Sequence, residues 1–95
     1  MIRNVVMVRL KPEADPAEVA AIQDGLRRLD CPGTLSYAVG DDLGLRKGNW
    51  SFAIVADFAD ADAYRGYDLD AEHNRIRARL APLADQIARL QFKVG

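Results

Sequence analysis

Several things are scarce in this chain. Its 95 residues include one cysteine, one histidine and one tryptophan. A lone Cys31 cannot close an internal disulfide or build a cysteine-based zinc site, and it fits a reducing cytoplasm. No apolar run approaches the roughly 18 residues that a membrane-spanning helix needs, so no membrane partner is expected. Neither charge sign dominates: 13 Lys and Arg stand against 14 Asp and Glu, for a formal net charge of -1. That balance argues against a nucleic-acid partner, which calls for a basic excess or stripe. The opening MIRNVVMVRLK is interrupted by Arg9 and Lys11 and lacks a small-residue cleavage pattern, so it does not read as a leader. No nucleotide-binding glycine loop, nucleophile elbow or zinc spacing occurs, and no cofactor or metal is expected. The length allows one domain, spanning residues 1–95. A chain this small buries only about two-thirds of its unfolded surface and often completes its core by pairing.

What is present is clear periodicity. Ile2 to Leu10 alternates as a strand, with Asn4, Val6, Val8 and Leu10 on one face and Arg3, Val5, Met7 and Arg9 on the other. Lys11-Pro12 ends it. Asp15 is placed to cap a helix that starts at Pro16, with Glu18 at capping-box spacing. Val19, Ile22, Leu26 and Leu29 form its apolar stripe, and Cys31-Pro32-Gly33 ends it. Thr34 to Gly40 predicts a second strand with Leu35, Tyr37 and Val39 on one face, and the polar stretch DDLGLRKGN predicts a loop. Trp50 to Phe58 is the strongest strand pattern, apolar on both faces. Asp60 is placed to cap a short helix through Ala61, Tyr64 and Tyr67, and a further helix runs from near Asp70 through His73, Ile76 and Leu80 to Pro82. Ile87 to Val94 alternates as a final strand, with a helical continuation through Leu83, Ile87 and Leu90 as the competitor.

This order predicts an α+β, ferredoxin-like domain: an antiparallel four-stranded sheet with helices on one face. The helices suffice for one face only. Val5, Met7, Ala53 and Val55 remain on the other, which predicts a homodimer through that sheet face.

The segments MIRNVVMVRLKPEAD, PGTLSYAVGDDLG and NWSFAIVADFADADAYRGY, followed by Glu72-His73, resemble the stress-responsive A/B barrel (Dabb) domain family of dimeric α+β barrels. The resemblance implies a ligand cavity between sheet and helices, with Asn4, Val6, Val8, Tyr64 and Gln91 as expected ligand-binding residues. The family includes a plant heat-stable protein and olivetolic acid cyclase, a polyketide cyclase. By that resemblance His73 is the candidate general base and Tyr67 the residue that orients the substrate. Three positions depart from the family pattern. Asn4 replaces a first-strand His, the Tyr-x-x-His-Pro-x-His element reads Tyr67-Asp68-Leu69-Asp70-Ala71-Glu72-His73, and Gln91 replaces the acid that orients the catalytic imidazole. The Gln91 amide oxygen is then the candidate acceptor for the imidazole N–H.

The residues themselves allow plainer roles. His73 also fits a helix surface or a satisfied core position, and Tyr64 and Tyr67 fit as rings covering the sheet. Asp68, Asp70 and Glu72 read as a solvated turn rather than metal ligands. Arg75, Arg77, Arg79 and Arg89 read as a charged exposed face, with anionic-ligand binding as the alternative. Two functions stay open: a dimeric barrel that binds a small apolar or aromatic molecule, and a cofactor-free, polyketide cyclase-like enzyme. A cofactor-free monooxygenase of the same broad fold shares the dimer, and no residue pattern marks it.

Overall fold

Strand alternation and helix capping account for the order of elements in a computed structural model that describes residues 1–95. The first strand, β1 (Ile2–Leu10), is central and antiparallel to both neighbours. Helix α1 (Pro16–Arg27) follows, its first turn closed by Asp15 Oδ1, which accepts from the Ala17 N–H at 3.0 Å. Then come β2 (Thr34–Asp41), β3 (Phe52–Phe58), α2 (Ala61–Leu69), α3 (Ala71–Leu80), a 3-10 turn at Ala81–Leu83 and β4 (Ala84–Lys93). The sheet order is β2-β3-β1-β4, all neighbours antiparallel. This is the ferredoxin-like α+β arrangement.

Register decides which side chains share the helix-covered face. Tyr37, Ala56, Asn4 and Gln91 lie in one row across the four strands, and Val39, Ile54, Val6 and Arg89 in the next. Against this face the helices bury Val19, Ile22 and Leu26 from α1 and Ile76 and Leu80 from α3. Val8, Ile22 and Phe58 are fully buried, and Cys31 is a buried free thiol. A second cluster joins Phe58 to Tyr67, ring centroids 5.0 Å apart, beneath α2.

Several boundaries differ from the sequence reading. Helix α1 ends at Arg27 rather than at Cys31-Pro32-Gly33. Glu18 is not a capping-box partner, because its carboxylate is held by Arg79 of α3 at 3.0 Å. Leu35 does not share a face with Tyr37: the register slips between Thr34 and Ser36, and Leu35 is left 59% exposed. Trp50 stands before β3 instead of inside it, with the Arg9 guanidinium 5.0 Å from its ring. Pro82 lies in the 3-10 turn, so α3 stops and β4 starts at Ala84, which removes the helical competitor.

One glycine is required by geometry. Gly33 has φ +82, and a Cβ there would lie 2.5 Å from the Ala63 Cβ, where α2 crosses the turn into β2.

The opposite sheet face has no cover. Val5, Met7, Ala53 and Val55 share it with Leu90 (62% exposed) and Phe92 (44% exposed). Its one internal polar feature is an ion pair: Arg3 Nε and Nη2 donate to the Asp57 carboxylate at 2.8 and 3.0 Å, and Ser36 Oγ donates to it at 3.2 Å. The Arg3 hydrogen bonds hold the Asp57 carboxyl below the usual carboxylate range.

Candidate functional site

The junction of α2 and α3 builds the site. Asp70 ends α2 and caps α3, its Oδ2 accepting from the His73 N–H at 2.9 Å. The Tyr67 carbonyl lies in the last turn of α2, where helix carbonyls lose their intrahelical partners. It accepts from the Asp70 N–H at 3.2 Å and meets His73 Nδ1 at 2.9 Å. A carbonyl oxygen only accepts, so Nδ1 carries the imidazole hydrogen and Nε2 keeps its lone pair. The His73 ring lies over the Tyr67 ring with centroids 3.9 Å apart and planes 24° apart. His73 is buried and lines the adjoining cavity, and its Nε2 has no protein partner.

That cavity, of about 50 Å³, lies between the sheet and the helices. It has room for a few water molecules. Its walls are mostly apolar, with Val6 and Ile54 from the sheet, Leu26 from α1, and Ile76 and Leu80 from α3. Asn4 supplies a second polar group. Its Oδ1 accepts from Gln91 Nε2 at 2.8 Å, and its Nδ2 remains without a protein partner on the cavity wall.

Electrostatics keep the site neutral in the middle. Burial, reinforced by the nearby Arg77 charge, pushes the His73 pKa below its ordinary value, against an opposing pull from the Tyr67 carbonyl, Asp68 and Asp70. Burial pushes the Tyr67 hydroxyl far above the usual phenol range and raises that of Tyr37 as well. These two hydroxyls share a hydrogen bond of 2.7 Å. The imidazole is therefore a neutral acceptor, and the Tyr67 hydroxyl stays protonated and already partnered.

Of the residues singled out from sequence, His73, Tyr67, Asn4, Val6 and Tyr64 meet at this cavity. Val8 does not line it, being fully buried in the core, and Gln91 stands one step away, behind Asn4. Gln91 is also not the acceptor for His73, because its amide is bonded to Asn4 and the Tyr67 carbonyl takes that role. Arg77, Asp68 and Arg89 line the cavity, whereas the sequence reading put the arginines on a charged exposed face, with anionic-ligand binding as the alternative, and Asp68 in a solvated turn. The Asp68–Arg77 pair, 3.0 Å apart, spans the helix junction at a spacing that no single-helix rule detects. Arg89 was detectable, since strand alternation places it with Ile87 and Gln91 on the helix side. No group of three or more His, Cys, Asp or Glu side chains is arranged to hold a metal ion.

Residues 2–94 match the family model of the Stress responsive A/B Barrel Domain. The chain belongs to this family. The stress-responsive A/B barrel fold recurs in solved structures. A dimeric ferredoxin-like protein of unknown function from Thermobifida fusca is 33% identical, with a TM-score of 0.91 over 98% of this chain and 90% of that one. A Dabb family protein from Mesorhizobium loti is 21% identical, with a TM-score of 0.75 over 99% and 97% of the two chains. A hydroxynitrile lyase from Passiflora edulis shares the fold at 17% identity, with a TM-score of 0.82 over 99% and 93%. No curated protein matches the chain significantly. No helix of this stress-responsive A/B barrel chain is long and apolar enough to cross a membrane.

The depressed His73 pKa makes stability depend on pH. The unfolded imidazole titrates at about 6.5, whereas the folded one titrates lower, so below that pH the unfolded chain binds more protons. Stability is expected to be level between about pH 7 and 8 and to fall as the pH drops toward 5. His73 is the only histidine in the sequence, so His73→Phe removes this slope. Urea unfolding at a series of pH values checks it, and an equal slope in both proteins contradicts it.

Proposed function

We propose that the chain forms a homodimer through its uncovered sheet face and uses the cavity at His73 to bind a small apolar or aromatic molecule. The observation that carries the binding reading is the cavity wall itself. This mostly apolar wall includes His73 and Asn4, whose Nε2 acceptor and Nδ2 donor have no protein partner. Such sites use apolar area for affinity and a few placed polar groups for orientation. The dimer reading rests on the exposed row from Met7 to Phe92, and the similar protein from Thermobifida fusca is described as dimeric. The lone buried Cys31 thiol supports a reducing, cytoplasmic setting.

A second reading, proton transfer on a carbonyl compound, is favoured by the His73 tautomer. Nε2 is the lone pair a general base needs, and a lowered pKa keeps it unprotonated near neutral pH. In this reading Asn4 Nδ2 donates to a carbonyl oxygen while Nε2 takes a proton from the adjacent carbon. The resulting imidazolium returns the proton readily, because burial and Arg77 both oppose its charge. The Nδ1 partner is the neutral Tyr67 carbonyl and not a carboxylate, and the pull of Asp68 and Asp70 does not outweigh burial and Arg77, which ranks binding ahead of catalysis.

Sedimentation at micromolar concentration is expected to give twice the 10.5 kDa chain mass, and Val55→Asp to give the single mass. A wild-type monomer, or a dimeric Val55→Asp protein, contradicts the interface. Acetophenone in D₂O tests the cavity. Binding is expected to shift the His73 and Tyr67 ring signals in NMR, and proton transfer to deuterate the ketone methyl in the wild type but not in His73→Phe. Shifts without exchange leave binding alone, and the absence of shifts overturns both readings.

A further inference from the structure

Two arginines stand on the cavity wall, and only one has a carboxylate. Arg77 Nη1 donates to Asp68 Oδ1 at 3.0 Å, and its Nη2 donates to the Asp68 main-chain oxygen at 3.1 Å and to Asn74 Oδ1. Its charge is matched and its geometry fixed. The Arg89 side chain, on the helix-side face of β4 next to Val6, makes no ion pair and no hydrogen bond to the protein, unlike that of Arg77. With His73 neutral, the cavity is lined by two guanidiniums and one carboxylate. The site therefore carries one surplus positive charge inside a chain whose formal net charge is -1.

We propose that the cavity selects small monocarboxylates with an apolar or aromatic body, the carboxylate seated on the Arg89 guanidinium at the mouth and the body directed toward His73. The claim rests on the binding reading given above and names the ligand class for the same site. One unmatched guanidinium suits one carboxylate, because its planar fork offers paired N–H donors to two oxygens. The aliphatic wall beyond it suits a body that brings no further charge, since a second buried charge would lack a partner. Arg89 is exposed in the ligand-free chain, so it is hydrated and accessible at the entrance. Burial and the Asp68 charge raise the Tyr64 hydroxyl pKa, and the Arg89 and Arg77 charges oppose that rise, so both guanidiniums lie close enough to this cavity residue to act on it. The Arg89 side chain also lies on the sheet face opposite the proposed dimer contact, so pairing of two chains through that face leaves it free.

The test uses benzoate and benzamide, which have nearly the same shape and differ in charge. Each is titrated into the intact protein while the His73 and Tyr67 ring signals are followed by NMR. Benzoate is expected to bind at least fivefold more tightly than benzamide. Arg89→Gln, a change at an exposed position, is expected to erase that preference while leaving benzamide unchanged. Equal affinities in the wild type, or a preference that survives Arg89→Gln, overturns the carboxylate assignment and leaves the cavity reading standing. If neither compound moves the His73 and Tyr67 signals, both the assignment and the cavity reading fall.

Discussion

The hydrogen bond between His73 Nδ1 and the Tyr67 carbonyl ties the end of α2 to the first turn of α3, and the character of the cavity depends on it. It exists because α2 stops at Leu69 and its last carbonyls turn outward. Asp70 then starts α3 at once by capping the His73 amide. Two helices broken at this point place a backbone acceptor beside an imidazole six residues later in sequence. An uninterrupted helix would spend the same carbonyl on its own ladder, and the ring would then be free to choose either tautomer. The consequence is an imidazole whose donor is used internally and whose lone pair is left for the cavity. Burial and Arg77 add the second condition, a ring that stays uncharged near neutral pH.

The other organising constraint is area. A four-stranded sheet with apolar residues on both sides needs two covers, and α1, α2 and α3 supply one. β4 shows this most plainly. Its large apolar residues, Leu90 and Phe92, point away from the helices, and its helix-side row carries Ile87, Arg89 and Gln91. Beyond Ile87 the strand is thus polar toward the helices and apolar toward the uncovered face, the reverse of what a single-layer core would ask of it. The same division gives the two faces different characters. The apolar outer face, with its internal Arg3–Asp57 pair, suits association, and the mixed inner face suits ligand contact.

The fold was legible because each element announces itself. Alternation marks β1 and β3, the stripe from Val19 to Leu26 marks α1, Asp15 and Asp60 cap helices as read from the sequence, and Asp70, near which the last helix was expected to begin, caps it. What escaped were features set by tertiary geometry. The Leu35 bulge is invisible to a period-two pattern that continues through it. Glu18 keeps its capping-box spacing but lies within reach of Arg79, whose charge is the stronger partner. Within the site, His73, Tyr67 and Asn4 were visible as chemistry-bearing side chains. The acceptor that orients His73 was not, because it is a backbone carbonyl, and every residue carries one. Only the helix end at Leu69 singles out the one at Tyr67.

The most direct measurement is nitrogen-15 NMR of the His73 ring across a pH titration, made simple because the sequence contains no second histidine. The account predicts a protonated Nδ1 and an unprotonated Nε2 at neutral pH, with the ring titrating below about 6.5. A ring protonated at Nε2, or an imidazolium persisting at neutral pH, would contradict it.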